Sequence, residues 1–218
     1  MTESLNQLLK ESICKNWNHK ALQDLGKEGL TFGDAAQQMA KIHLFLQAAH
    51  IQPQDKVALC GKNSANWAMA FLGTLSYGAI PVPILNDFKA ESIHNIVNHS
   101  DARILWVDDA VLNNIDLKEM AALEVVMQLN DLSIIAGNDE IKAFYQDIDN
   151  VFAEKYPSGY RPEDVKFYEE TPEDIALINY TSGSTGFSKG VILPYRALWS
   201  NVRFAIDNIT YLKADDGM

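Results

Sequence analysis

Val57-Ala58-Leu59-Cys60-Gly61-Lys62-Asn63-Ser64-Ala65-Asn66-Trp67-Ala68-Met69-Ala70-Phe71-Leu72-Gly73-Thr74-Leu75-Ser76-Tyr77-Gly78-Ala79-Ile80-Pro81-Val82-Pro83-Ile84 is the stretch that decides the fold class. Its first four residues form a short, continuous apolar run, the pattern of a strand buried on both faces of a parallel sheet. Ser64 is placed to cap a helix that runs to Tyr77, and Gly78 to end it. The chain then returns as an extended strand over residues 79–84, at an edge or irregular because of its two prolines. No charged residue occurs from Asn63 to Asn86, which raises the question of a membrane span. The glycines and prolines instead divide the segment into a helix and a strand.

The same alternation continues outward. Apolar residues at helical spacing predict a helix over residues 5–17 through Leu5, Leu8, Leu9, Ile13 and Trp17. Thr31-Phe32-Gly33-Asp34 has the form of a capping box and opens a helix of about five turns. Downstream, a helix over residues 88–98 faces inward through Ile93, Ile96 and Val97, and residues 103–107 form a strand. A helix is expected over residues 111–122, a strand over 125–129, and an amphipathic helix over 140–153 with Ile141, Phe144, Ile148 and Phe152 on one face. The acidic, turn-rich residues 156–172 are expected to cross the surface as an irregular connection. Pro194 opens a last helix with Leu198, Val202, Ala205 or Ile206, and Ile209 on its inner face. Strand and helix in alternation predict an α/β fold, a largely parallel sheet flanked by helices.

One segment stands apart from this scaffold. Thr181-Ser182-Gly183-Ser184-Thr185-Gly186-Phe187-Ser188-Lys189-Gly190 joins two strand-like runs, Ile175-Ala176-Leu177-Ile178-Asn179-Tyr180 and Val191-Ile192-Leu193. Glycine lets backbone amides approach an anion and turn into one concavity. Hydroxyls add reorienting donors, and Lys189 adds a charge on a flexible stem. A polyphosphate suits these groups, with Thr181, Ser182, Gly183, Ser184, Thr185, Gly186 and Lys189 as the candidate contacts. An ordinary polar hairpin loop is the plain alternative. A Walker A loop is excluded, because Lys189 stands between Ser188 and Gly190 and a strand follows where a helix is required. A nucleophile elbow is excluded because Ser182 occupies its first glycine position.

The run from Tyr180 to Val191 closely resembles the phosphate-loop signature of the adenylate-forming superfamily, usually Thr-Ser-Gly-Thr-Thr-Gly-x-Pro-Lys-Gly. Ser184 replaces a threonine and keeps the hydroxyl; Ser188 replaces the proline and removes a φ restraint before the lysine. Residues 54–64 and 70–83 are similar to early segments of the same superfamily. Together with Pro194-Tyr195-Arg196-Ala197-Leu198-Trp199-Ser200-Asn201, they look most like bacterial long-chain fatty-acid CoA ligases. The resemblance implies ATP, Mg2+ and coenzyme A, a carboxylic acid as substrate, and the loop as the holder of the ATP phosphates. It also implies that residues 1–218 are the N-terminal portion of the large AMP-binding domain. The family's adenine- and ribose-binding segments, hinge and C-terminal domain have no counterpart here, so a fragment without activity of its own is expected, with no complete catalytic set; the alternatives are a non-catalytic nucleotide-binding or interaction module and an adenylating enzyme for an aryl or amino acid.

Composition agrees with a soluble globular chain: 218 residues, 47% hydrophobic and 22% charged, with a formal net charge of −11. That charge excludes nucleic acid as a partner. The acidity lies in residues 1–180, whereas residues 181–218 are nearly neutral. Cys14 and Cys60 have no disulfide or metal spacing, and His43, His50, His94 and His99 form no metal-ligand pair, so no metal site is expected and a cytoplasmic setting fits. The N-terminus lacks the pattern of a secretory signal, and no integral membrane segment is expected, while peripheral membrane contact and the oligomeric state stay open. Trp67, Trp106 and Trp199 are expected in the core.

Overall fold

The structure is a computed structural model that describes residues 4–181 and 188–209. Helix α1 (Leu5–Lys15) leads through a two-stranded ribbon, β1 (Lys20–Leu22) and β2 (Leu30–Thr31), into α2 (Phe32–Ala48). The α/β run follows: β3 (Lys56–Cys60), α3 (Ala65–Tyr77), β4 (Ile80–Ile84), α4 (Ala90–Ser100), β5 (Ile104–Val107), α5 (Asp109–Leu112), β6 (Val125–Gln128) and β7 (Ile134–Ala136). Two helices, α6 (Asp139–Gln146) and α7 (Ile148–Lys155), precede the hairpin β8 (Ile175–Thr181) and β9 (Lys189–Pro194), and α8 (Tyr195–Asn208) closes the described chain.

Caps written in the sequence set the helix ends. Thr31 and Asp34 exchange hydrogen bonds in a capping box at the start of α2, and the Ser64 hydroxyl accepts from the Trp67 N–H at the start of α3. Gly78 ends α3 in the left-handed region at φ +93. A side chain there would be strained, and an added Cβ would stand 2.6 Å from the Tyr168 ring.

The central sheet has the order β4-β3-β5-β6-β7, parallel except for β7, which runs antiparallel to β6. Its four parallel strands are buried on both faces, whereas β7 is half-buried. Val57, Leu59, Ile104 and Trp106 point into a core shared with α1, α2 and α3; Ala58, Cys60, Leu105 and Val107 point into a second core under α4. Strand β4 lies at the sheet edge, a position that tolerates the missing N–H groups of Pro81 and Pro83. Among the described residues no helix is long and apolar enough to cross a membrane. Trp106 is fully buried, and Trp67 stacks on Phe71 at 5.3 Å.

Four expectations are corrected. The helix over 111–122 does not form: after α5 comes only a 3-10 turn, Leu117–Glu119. Asn114 bonds back to the Ala110 carbonyl and Asp116 accepts from the Lys118 N–H, so short polar side chains compete with the helix ladder. The helix over 140–153 is interrupted at Asp147, whose carboxylate holds the Asn150 amide at 2.6 Å. Ile141, Ile148 and Phe152 are nonetheless buried.

The connection after α7 is irregular but does not merely cross the surface. Val165 is fully buried, Tyr168 docks over Gly78, and the Glu170 carboxylate accepts from the Ser4 hydroxyl and the Asn6 N–H. Finally, the expected inner face of α8 is covered only at its start, where Leu198 packs beside Leu5 and Leu75, and is exposed at Val202, Ile206 and Ile209; Tyr195 alone on this helix is buried.

Candidate functional site

The glycine- and hydroxyl-rich segment is carried by an antiparallel hairpin. Its last ladder pairs are Tyr180 with Gly190 and Thr181 with Lys189, so the two ends of the loop are held side by side. Thr181 closes β8 and Lys189 opens β9, and both are exposed. Ser182, Gly183, Ser184, Thr185 and Gly186 lie outside the described residues. Of the seven candidate contacts, the structure therefore places two, and it places them opposite each other.

Alternation along β8 explains how the hairpin is seated. Ala176, Leu177, Ile178 and Tyr180 are buried, while Asn179 and Thr181 are exposed. The strand lies alongside β4, where Ile178 and Tyr180 join the core under α4. Strand β9 is exposed over its first four residues, from Lys189 to Ile192. The hairpin thus has one anchored strand and one strand open to solvent.

Three polar anchors fix its frame. At the start of β8 the Gln54 side chain forms an amide clamp, Nε2 donating to the Ile175 carbonyl at 3.2 Å and Oε1 accepting from the Ile175 N–H at 3.1 Å. Just past β9 the Tyr195 N–H donates to the Asp174 carbonyl at 3.0 Å, and its buried hydroxyl donates to the Leu75 carbonyl at 2.7 Å. Next to the loop, the Tyr180 hydroxyl lies 2.7 Å from His99 Nδ1, their rings edge to face at 5.8 Å. Burial, with the Asp101 charge adding, raises the Tyr180 pKa above the ordinary phenol value and keeps the hydroxyl protonated.

Tyr180 also accounts for Gly190. A Cβ at that position would stand 3.1 Å from both the Tyr180 ring and Ile178, so glycine leaves room for the ring beside β9. The sequence gives His99 no metal partner and assigns no role to Gln54 or Tyr195. The signal for Tyr195 was its position directly after Pro194; nothing local marks Gln54 or His99, because their partners are 121 and 81 residues away.

Between α4 and the loop root lies a cleft of about 510 Å³, lined by Ser92, Asn95, His99, Tyr180 and Ser188 among others. Its walls supply hydroxyl, amide and imidazole groups. Lys189 makes no ion pair among the described residues. No cluster of three His, Cys, Asp or Glu side chains among the described residues could hold a metal ion. The two cysteines are free, with burial raising the Cys14 thiol and pushing Cys60 up to about 12, so neither is an activated thiolate. Two further histidines have structural contacts: His94 Nε2 accepts from the Asp116 N–H, and His43 Nε2 meets the Ser76 hydroxyl at 2.9 Å.

Similar proteins share both the sequence and the architecture. Long-chain-fatty-acid--CoA ligase 1 of Schizosaccharomyces pombe is 26% identical over 215 residues, covering 95% of this chain and 30% of that protein. The structure of a long-chain-fatty-acid-CoA ligase (FadD1) from Archaeoglobus fulgidus superposes with a TM-score of 0.68 at 23% identity, covering 93% of this chain and 39% of that one. VinN in complex with L-aspartate superposes with a TM-score of 0.74 at 19% identity, covering 97% of this chain and 53% of that one. The chain thus spans only part of the length of each, and the two superpositions show a common fold. Over residues 9–218 the sequence matches the AMP-binding enzyme family, and the chain belongs to that family.

Proposed function

We propose that the hairpin Ile175–Pro194 is the phosphate grip of an AMP-forming acid–thiol ligase, and that residues 1–218 are the N-terminal portion of its large domain. The observation that carries this reading is the pairing of Thr181 with Lys189, which presents the glycine- and hydroxyl-rich segment as one loop with a lysine at its trailing root. In the reaction proposed, a carboxylate attacks the α-phosphate of ATP, giving an acyl-adenylate and pyrophosphate. A thiol, coenzyme A, then displaces AMP and forms a thioester.

The protein's task in the first step is to neutralise and orient the leaving pyrophosphate. Amides from Gly183 to Gly186 and the hydroxyls of Thr181, Ser182, Ser184 and Thr185 would hold the β- and γ-phosphates, and Lys189 would supply positive charge beside them. The anchors at Gln54, His99 and Tyr195 would hold the base of the hairpin in place against the leaving group. Magnesium would arrive with ATP; the described residues offer it no cluster of three His, Cys, Asp or Glu ligands.

We further propose a long-chain fatty acid as the substrate and the cytoplasm as the location. The first is supported by the similarity to the long-chain-fatty-acid--CoA ligase of Schizosaccharomyces pombe, the second by two free cysteines. Aryl and amino acids are the competing substrates, since similar solved structures include an anthranilate CoA ligase and VinN with L-aspartate. Acid-dependent exchange of pyrophosphate into ATP by the complete protein, run with palmitate, benzoate and aspartate, separates them. Exchange stimulated by palmitate alone supports the proposal; stimulation by benzoate or aspartate alone replaces it.

A further inference from the structure

On the opposite side of the sheet from the hairpin, a cavity of about 420 Å³ opens between α2, the end of α3 and the connection after α7. Its floor is one face of α2, where Ala40, His43, Leu44 and Gln47 recur at helical spacing. Five further rings, those of Tyr77, Tyr156, Tyr160, Phe167 and Tyr168, line it. The His43 ring stands edge-on to Tyr77 at 5.6 Å and to Phe167 at 6.0 Å. No residue of the hairpin contributes.

His43 Nε2 lies 2.9 Å from the Ser76 hydroxyl, which in turn lies 3.4 Å from the Gly73 carbonyl. Burial, with the Lys155 charge adding, lowers the His43 pKa to about 4, so the ring is neutral and does not repel a cation at the rim.

Lys155 and Lys166 both line the cavity, and neither makes an ion pair among the described residues. The Lys155 ammonium lies 5.8 Å from the centre of the Tyr156 ring. One carboxylate, Asp164, lines the cavity, and it accepts from the Arg161 N–H at 2.9 Å. Two lysines over an aromatic wall are a local reversal in a chain of net charge −11.

We propose that this cavity is a binding site for a planar aryl carboxylate, its ring against the tyrosines and Phe167 and its carboxylate at Lys155 and Lys166. The volume falls in the range of small-molecule sites, and edge and face contacts with rings favour an aromatic body over an alkyl chain. A phosphate suits it less: the lining contains no arginine to grip it bidentately and no glycine-rich amide nest.

The test is a titration of the isotope-labelled 218-residue chain with naphthoate, followed by nuclear magnetic resonance, with naphthol, decanoate and inorganic phosphate as comparison ligands. Naphthoate should bind with a dissociation constant below about 1 mM and shift the signals of His43, Tyr77 and Phe167. Each comparison ligand should bind at least about threefold more weakly. The double variant Lys155→Ala, Lys166→Ala changes two exposed side chains and should keep the fold while weakening naphthoate about fivefold. Unchanged affinity in that variant, equal binding of phosphate or decanoate, or shifts confined to the exposed apolar residues of β9 and α8 would each overturn the site.

Discussion

The Tyr180 ring lies over Gly190, close enough that a β-carbon on Gly190 would stand 3.1 Å from it, and the Tyr180 hydroxyl is held 2.7 Å from His99. The ring cannot easily step aside while His99 holds its end. Gly190→Ala should therefore destabilise the chain by about 1 kcal/mol, and less once His99→Ala has released the ring. A double-mutant cycle in urea unfolding should give a coupling of about 0.5 kcal/mol or more; simple additivity would show that the ring is not pinned.

Gly78 and Gly159 both have positive φ, +93 and +82, but only Gly78 has a neighbour where a Cβ would stand. Backbone strain acts at both, and displacement of the Tyr168 ring at one. Gly78→Ala should cost about 3 kcal/mol and Gly159→Ala about 1 kcal/mol, read from urea midpoints. Similar losses at the two positions would mean that Tyr168 moves without cost.

Stability should fall on mild acidification because of His43. Its pKa is 6.5 when unperturbed and about 4 in the folded chain, so between these values the unfolded chain binds more protons. The contribution is present in full above about pH 6.5, is lost as the pH falls through this window, and is constant below about pH 4. From pH 7.5 to pH 5 the loss should reach up to about 2 kcal/mol, and His43→Gln should abolish that step. An equal loss in the variant would assign the pH dependence to other groups.

Much of this architecture was legible because the decisive signals are local. Ser64, Gly78 and the apolar run at Val57 mark a strand, a helix and its end within one stretch, and the capping box at Thr31 needs only four residues. Where the sequence misled, short polar side chains were set against a weak helical period, as at Asn114, Asp116 and Asp147. Strand β7 was missed because Ile134–Ala136 is three residues long and gains its identity from pairing with β6. At the site, Thr181 and Lys189 were read from the motif itself, whereas Gln54 and His99 act on partners far along the chain. The aromatic cavity was invisible for the same reason, since its rings come from three separate segments.

The role of the hairpin as a pyrophosphate grip is tested most directly by the exchange of labelled pyrophosphate into ATP, measured for the complete protein with and without Lys189→Ala. The lysine paired with Thr181 at the loop root should matter to a leaving pyrophosphate, and its loss should slow exchange by more than about tenfold. An exchange rate unchanged by Lys189→Ala would contradict that role.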